Sequence, residues 1–294
     1  MRRPKTRITP TDVVLSLLLL AAFIFILYRI KAGLHYKWNW GAIPQYLFRY
    51  DPERGEWVSN VLIQGLLTTI RLSLWGTLLA ALIGIIMGLC RVSGSLFNRI
   101  IGRTYVELIR NLPPLVLIFI FYYFISAHIT VSLGVEEFIA SCSEEFRSFT
   151  ALFFAPPHLF SPFLSALVTL ALFEGAYITE IVRAGVQSIE KGQWEASCAL
   201  GLSYWQQMRY IILPLAVQRI LPPLAGQFIS TIKDSAIVSV ISIQELTFQG
   251  MELMSATYLT FEVWITITAL YLLLTFSLSL ALSRVEITLR RSEA

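Results

Sequence analysis

The chain has 294 residues, of which 56% are hydrophobic and only 14% are charged, and its mean hydropathy is +0.67. Soluble domains carry about 25% charged residues, so this composition predicts an integral membrane protein. It excludes a secreted disulfide scaffold, a disordered protein and an ordinary cytosolic enzyme. The net charge of +4 fits basic residues on the cytoplasmic side of a membrane better than a nucleic-acid surface. The three cysteines and three histidines are too scattered for a disulfide framework or a metal site.

Six apolar segments are long enough to cross a bilayer, which takes about 20 residues. They lie at residues 13–30, 72–90, 108–128, 161–181, 217–240 and 263–282. The first follows a basic tail and is expected to be a helix. A cleaved signal peptide is the alternative, which Arg29 and Lys31 disfavour because they stand where small residues would mark a cleavage site. Thirteen lysines and arginines then fall on the side of the amino terminus and six on the opposite side, so both termini are expected to be cytoplasmic.

Two long segments are expected outside the membrane. The loop that completes residues 1–60 is rich in tryptophan and tyrosine, which predicts that it lies in the headgroup region. The other segment, residues 126–159, carries four glutamates. Arg71 directly precedes the second span. It either reaches the outer interface along its aliphatic stem or meets an anionic group of a substrate.

The segment between the fourth and fifth spans, residues 185–214, is amphipathic. Trp194 to Leu200 is predicted to form a short helix of small residues, which Gly201 ends in a left-handed conformation. Ser203 is predicted to cap a second helix that runs until Pro214 interrupts it. Two such helices form either a rigid knob that docks on a partner or a connector that closes the bundle, and periodicity alone leaves both open.

The spacing of residues in this segment resembles the EAA loop of ABC importer permeases, written EAA, three residues, G, nine residues, IxLP. The matching residues are Glu195, Ala196, Ser197, Gly201, Ile211, Leu213 and Pro214, with serine in place of the third alanine. Residues 65–74, 105–116, 175–185 and 227–235 resemble permeases of the polar amino acid uptake family, of the histidine, glutamine and glutamate type. Two features differ. Leu112-Pro113-Pro114 replaces the family's common Thr-Pro-Leu, and the outward-facing segment 126–159 is longer than usual, which bears on the binding protein or on assembly.

This resemblance implies an all-α membrane protein of about six spans with a five-helix permease core. The core occupies residues 61–284, residues 1–60 precede it, and residues 285–294 form a cytoplasmic tail. The implied function is that of the permease subunit of an ATP-driven importer in the prokaryotic cytoplasmic membrane, which translocates a polar amino acid. The implied partners are a cytoplasmic ABC ATPase dimer, a second permease copy or paralogue, and an extracytoplasmic solute-binding protein.

The chain itself is not expected to be an enzyme or to bind a cofactor, metal or nucleic acid. It has no GxxxxGK[ST] loop, whose backbone amides would hold phosphate. ATP and magnesium therefore belong to the ATPase, and the resemblance implies that the helix from Glu195 to Gly201 sits in a cleft of that partner. Gly201→Asp, which adds bulk and charge, is expected to abolish transport and leave membrane insertion intact.

Charged side chains inside spans are costly and usually functional. Three stand out, namely Glu174 in the fourth span and Lys233 and Asp234 in the fifth. Neighbours on a helix point about 100° apart, so Lys233 and Asp234 each need their own partner. A zwitterionic amino acid offers its carboxylate to Lys233 and its ammonium to Glu174. The alternative is that these groups satisfy one another or the partner subunit. Gln227 and Ser230 share this cavity only if the helices pack as in the family.

Other interpretations remain open at this point. An ion-coupled secondary transporter or channel for a small polar solute also carries intramembrane charges, but it does not need the spaced cytoplasmic loop. A membrane-embedded enzyme needs a nucleophile with a base, or a metal site, and the sequence has neither at helical spacing. Glu180 and Arg183, three residues apart, are expected to form a structural ion pair.

Overall fold

The computed structural model describes residues 10–33, 36–53 and 55–291. The described residues form fourteen α-helices. These are α1 Pro10–Gly33, α2 Ile43–Leu47, α3 Val61–Val92, α4 Leu96–Asn111, α5 Pro114–Phe119, α6 Ala127–Ser132, α7 Val135–Ser141, α8 Glu144–Phe153, α9 Phe160–Gln187, α10 Lys191–Ala199, α11 Tyr204–Gln207, α12 Leu213–Asp234, α13 Leu246–Thr257 and α14 Thr260–Arg291. Three parts of the sequence on which predictions rest lie outside the described residues, namely the basic tail at residues 1–9, Arg54 and residues 292–294.

The described residues up to Trp40 belong to a compact unit of their own, which contains α1. Its apolar portion Pro10–Phe25 is shorter than the helices that are long enough to span a membrane. The crossing at residues 13–30 therefore remains a prediction. After α1, the rings of Trp38 and Trp40 stack at a centroid distance of 5.9 Å, and Tyr36 meets Trp38 edge-on at 5.2 Å.

The second unit, from Gly41 onward, contains the helices that can cross a membrane. Within the described part of the chain, five helical segments are long and apolar enough to do so. They are Val61–Val92, Pro114–Ser132, Pro157–Gln187, Tyr204–Ile241 and Thr260–Arg284. The prediction of a five-helix, all-α membrane core is confirmed.

Several predicted span starts are wrong. The second span begins at Val61 and not at residue 72, so Arg71 lies within α3 and does not precede the span. The third span begins at Pro114 and not at residue 108, because the chain from Leu96 to Asn111 forms the separate helix α4. Pro113 and Pro114 separate the two helices, since a residue that precedes proline is driven towards extended backbone. Leu112 is accordingly extended, with φ −101° and ψ 148°.

Small residues on α3 allow close packing against α9. They recur every four residues, at Gly76, Ala80, Gly84 and Gly88, and all four are buried. A Cβ atom at Gly84 would lie 2.5 Å from Cγ2 of Ile178, and one at Gly88 would lie 2.6 Å from Cβ of Val182. Small residues at this spacing bring helix backbones together, which is a common way for helices to associate in membranes. The order of these contacts shows that α3 and α9 run parallel.

A short extended hairpin connects α2 to α3. Strand β1, Phe48–Asp51, pairs antiparallel with β2, Glu56–Ser59, and Phe48 lies opposite Ser59. Asn60 then caps α3, and its side-chain Oδ1 accepts a hydrogen bond from the amide of Val61. The aromatic loop of the sequence therefore contains regular structure that its composition did not predict.

The parallel direction of α3 and α9 defines the two ends of the bundle. The end at which α3 and α9 terminate, and from which α12 starts, is called the coupling end because residues 188–214 lie there. The buried apolar cluster of the coupling end consists of Val186, Ile189, Met208, Ile212 and Ala216. The opposite end, called the far end, holds the hairpin, α8 and α13.

Candidate functional site

At the coupling end, α10 stops at a glycine in left-handed conformation. Gly201 has φ +74°, and its amide donates to the carbonyl of Cys198 at 2.9 Å. The amide of Leu200 donates to the carbonyl of Ala196 at 3.1 Å. These bonds satisfy carbonyls that a helix end would otherwise expose. The predicted helix and its glycine stop are confirmed, with α10 beginning three residues earlier, at Lys191.

The second helix of the segment, α11, begins at Tyr204 with Ser203 as its N-cap, as predicted. The amide of Ser203 donates to Oε1 of Gln206 at 2.8 Å, which is one half of a capping box. The prediction that Pro214 ends this helix is wrong. The chain passes through a wider π-helical turn, Met208–Ile212, and continues as α12. The wider turn redistributes backbone hydrogen bonds at the site where proline lacks an N–H group.

Packing holds residues 188–214 against the bundle. Met208 and Ile212 are buried against Val186 and Ile189, near the end of α9. The guanidinium of Arg219 on α12 donates to the backbone carbonyl of Ser188. The segment is therefore anchored on two spanning helices.

The outer surface of the segment exposes large apolar side chains among polar ones. The side chains of Leu200 and Trp205 are 75% and 81% exposed. Glu195 and Ala196 also face outward, whereas Ser197 is buried and donates to the carbonyl of Trp194 at 2.7 Å. A Cβ atom at Gly201 would meet no atom of this chain within 4 Å. Within this chain, therefore, the need for glycine comes from the left-handed backbone and not from close packing.

The remaining residues of the EAA spacing lie at the junction with α12. Ile211 and Leu213 are half-buried and pack against the coupling-end cluster. Pro214 is exposed in the first turn of α12.

A second group of polar residues lies inside the bundle, around Glu174. This side chain is fully buried on α9, and its Oε2 accepts a hydrogen bond of 2.6 Å from Nε2 of Gln227 on α12. Thr231 and the carboxylate of Asp234 are its other polar neighbours. Within the described chain, Oε1 of Glu174 has no hydrogen-bond donor. A buried acceptor without a donor costs about 1–3 kcal/mol of folding free energy. A ligand that donates a hydrogen bond to Oε1 of Glu174 would therefore be bound favourably.

Helical spacing brings these groups of α12 to one face. Gln227, Thr231 and Asp234 follow one another by four and three residues, so they line up along the helix and meet Glu174. Gln227, which was expected beside Glu174 only if the helices pack as in the family, bonds to it directly, while Thr231 was not predicted. Ser230 is half-buried on the same helix.

The structure does not bring Arg71 to this group, and Lys233 lies only at its edge, where its charge acts on Asp234. Lys233 is exposed and, among the described residues, makes no salt bridge. Ile83 of α3 packs beside Gly175, next to Glu174. Arg71 lies twelve residues before Ile83 on the same helix, about 18 Å away at 1.5 Å per residue.

A charged cluster lies between Glu174 and the coupling end. Glu180 accepts from Arg183 at 2.7 Å and also pairs with Arg91 of α3, so the predicted ion pair is confirmed and extended. Arg91 and Glu180 line an open cavity of about 370 Å³, together with Glu107 and Arg110 of α4. No group of His, Cys, Asp and Glu in the described chain is arranged to hold a metal ion.

A buried carboxylate at the far end, Glu245, was not predicted. It caps α13 by accepting from the amides of Thr247 at 2.9 Å and Phe248 at 2.8 Å, and the hydroxyl of Tyr271 on α14 donates to it at 2.9 Å. Burial raises the pKa of Glu245 to about 7, although these donors act to lower it. Glu245 lies between the fifth and sixth predicted spans, so its position in the sequence does not mark it as a charge inside the membrane.

Comparison with known proteins agrees with this architecture. Residues 80–291 match the family described as the binding-protein-dependent transport system inner membrane component. The glutamine transport system permease protein GlnP of Escherichia coli strain K12 is 35% identical over 226 residues, which cover 77% of this chain and 91% of that protein. The glutamate/aspartate import permease protein GltJ of the same strain is 30% identical over 249 residues, which cover 85% and 94%.

The fold also matches a solved structure. The crystal structure of an amino acid ABC transporter with histidines superimposes with a TM-score of 0.62 at 32% sequence identity, over 78% of this chain and 94% of that chain. The family match covers more than half of the chain, and the relatives are matched over nearly their whole length. This protein therefore belongs to the family of inner membrane components of binding-protein-dependent transport systems.

Proposed function

We propose that the chain is the permease subunit of an ATP-driven importer for a polar amino acid. Family membership supports a permease, and the names of the relatives, which are glutamine and glutamate/aspartate permeases, support the cargo class. A separate cytoplasmic ATPase dimer hydrolyses ATP with magnesium, an external binding protein delivers the cargo, and a second copy or paralogue completes the pore. Both termini and the coupling end face the cytoplasm, in agreement with the distribution of lysine and arginine.

The observation that carries this proposal is the anchored segment at the coupling end. Two helices joined at Gly201 present the exposed side chains of Leu200 and Trp205, while Met208 and Ile212 fix their inner face to the bundle. Force from a partner passes to the spans only through a packed element and not through a flexible tether. The helix from Glu195 to Gly201 docks in a cleft of the ATPase.

The cargo path includes the group around Glu174. The unmatched Oε1 of Glu174 and the neighbouring Asp234 carboxylate offer acceptors for an ammonium group. Lys233, which makes no salt bridge among the described residues, offers its charge to a carboxylate. Gln227 and Ser230 contribute polar contacts beside them, and Arg71 acts nearer the far end.

Reconstitution tests the proposal. The complex of permease, ATPase and binding protein is placed in liposomes, and ATP hydrolysis is measured with a panel of amino acids. We expect a polar amino acid to stimulate hydrolysis and to accumulate inside. If no amino acid does so, the cargo class is wrong. If the permease alone transports with an ion gradient, it is a secondary transporter.

Gly201 provides a matched test of the coupling segment. Gly201→Ala places a side chain on left-handed backbone at a cost of about 1–2 kcal/mol, whereas Gly192→Ala adds the same side chain to α10, in equally open space. We expect loss of amino-acid-stimulated hydrolysis in Gly201→Ala only, with normal membrane insertion of both. Gly201→Asn tolerates the left-handed conformation, so its failure would show that bulk at the ATPase contact matters as well. Normal coupling in all three variants would contradict docking at this turn.

A further inference from the structure

The long segment between the spans Pro114–Ser132 and Pro157–Gln187 contains an aromatic surface that the transport function does not explain. Phe146, Phe149 and Phe153 lie three and four residues apart on α8, so they share one face of the helix. Phe149 and Phe153 are 51% and 46% exposed, and their rings lie 4.7 Å apart. Phe138 of α7 extends this surface by meeting Phe146 edge-on. These four side chains are called the aromatic face.

The opposite side of α8 is polar. Glu144 and Ser148 lie away from the aromatic face, and Ser143 caps the helix by accepting from the amide of Phe146 at 3.3 Å. Thr150 is buried against the protein. The helix is thus amphipathic, with its apolar surface exposed instead of packed. Helices of this composition lie in the plane of a membrane interface, with aromatic residues inserted at the headgroup boundary.

A hydrogen bond fixes the depth of α8 in the bundle. Nε1 of Trp75 on α3 donates to the carbonyl of Phe153 at 2.9 Å, and its ring stacks on Phe154 with centroids 4.7 Å apart. Helix α3 has 32 residues, so it is about 48 Å long, and Trp75 lies about 21 Å from the end at Val61. A hydrocarbon core about 30 Å thick that lies within α3 begins at most about 18 Å from that end. The hydrocarbon core therefore includes Trp75, whichever part of α3 the core surrounds.

Depth and exposure together identify what covers this surface. The carboxyl end of α8 lies at the level of Trp75 and therefore within the hydrocarbon core, whereas exposed phenylalanine would be unfavourable in water. The preceding span, Pro114–Ser132, also exposes large apolar side chains, at Phe124 and Ile129. We infer that the aromatic face lies on the acyl chains and headgroups of the bilayer at the far end, so that residues 135–153 form an interfacial helical collar and not a free docking loop. This inference rests on membrane insertion of the bundle and not on the proposed cargo.

Spin labels at neighbouring positions test the inference. In the complete complex in lipid nanodiscs, with Cys90, Cys142 and Cys198 replaced by serine, a nitroxide is attached at Phe149→Cys or at Ser148→Cys. Because these positions point about 100° apart, the label at 149 should collide more with oxygen than with a water-soluble nickel chelate. The label at 148 should show the reverse order.

Two outcomes would overturn the inference. Equal nickel accessibility at positions 149 and 148 would place the aromatic face in water, free for the binding protein. Protection of position 149 from both reagents would show that another protein subunit covers it.

A measurement on the wild-type chain removes the dependence on cysteine variants. The complex is irradiated in bilayers that contain a phospholipid with a diazirine in its acyl chain, and the adducts are mapped by mass spectrometry. We expect adducts on residues 146–153 and on the exposed side chains of α14, such as Leu272 and Phe276. Adducts on α14 without any on α8 would contradict lipid contact.

Discussion

Replacing Glu174 by glutamine is expected to stabilise the protein and impair its transport. The carboxylate is fully buried, one of its oxygens has no donor in the described chain, and Asp234 stands beside it. A glutamine of the same shape keeps an oxygen for Gln227 and supplies an amide that donates to Asp234. Relief of one buried unsatisfied acceptor amounts to about 1–3 kcal/mol. At roughly 2 °C per kcal/mol for a chain of this size, the melting temperature should rise by about 2–6 °C.

Transport should change in the opposite direction. In the proposed cargo path, Glu174 pairs with the ammonium group of the amino acid. Removing one partner of such a buried charged pair costs about 2–5 kcal/mol of binding free energy. This corresponds to a loss of at least about tenfold in amino-acid-stimulated ATP hydrolysis. The assays are thermal unfolding of the purified complex in detergent and hydrolysis by the same complex in liposomes. A gain in stability with a loss of function indicates a residue kept for ligand binding at a cost to folding.

Glu180 provides the control on the same helix. Glu180→Gln makes the same substitution at a carboxylate that pairs with Arg91 and Arg183, so it should lower the melting temperature. If Glu174→Gln also lowers it and leaves transport unchanged, the buried charges serve only to satisfy one another. That result would refute the reasoning from the unmatched Oε1.

Two further predictions concern packing and pH. Gly84→Ala places a Cβ atom 2.5 Å from Cγ2 of Ile178 and 3.1 Å from a backbone oxygen, so it should destabilise the protein by about 1–3 kcal/mol. Gly94→Ala is the control and should have no effect, because nothing lies within 4 Å of the added Cβ atom. Equal melting temperatures of the two variants would contradict the close packing of α3 on α9. Because burial raises the pKa of Glu245 from 4.5 to about 7, the folded state binds its proton more tightly than the unfolded state does. This proton contributes about 3 kcal/mol to the free energy of unfolding. The contribution is fully present below pH 4.5 and is lost as the pH rises through about 7. Glu245→Gln should remove this component of the pH dependence of the melting temperature, and an unchanged profile would contradict it.

Local chemistry explains what the sequence could predict at the coupling end. The stop at Gly201 and the cap at Ser203 depend on residues within four positions of each other, so their types and spacing are sufficient. The continuation of the helix past Pro214 depends on the π-helical turn before it, which no single residue signals. The start of the third span was misplaced because apolar residues of α4 join those of α5 in a hydropathy window, while Pro113 separates the two helices.

Long-range packing explains what the sequence could not predict. The bond between Glu174 and Gln227 joins residues 53 positions apart, and only the packing of α9 against α12 brings them together. By its residue type alone, Thr231 is an ordinary threonine of a membrane helix. Its spacing from Gln227 and Asp234 becomes informative only once Glu174 is known to face that side of α12. Glu245 is recognisable only once α13 is known to start beside it.

The same two helices connect the coupling segment to the buried polar group. Glu174 lies thirteen residues before the end of α9 at Gln187, about 20 Å along the helix. Gln227 lies about 21 Å along α12 from its start at Leu213. Since the segment between these helices is packed on their ends and tied to α12 through Arg219, a displacement of the segment acts on both helices that carry the group. The close α3–α9 contact at Gly84 and Gly88 resists movement of α9. A movement of α12 relative to α9 is enough to separate or join Glu174 and Gln227. The geometry therefore favours α12 as the helix that moves, with α9 held against α3.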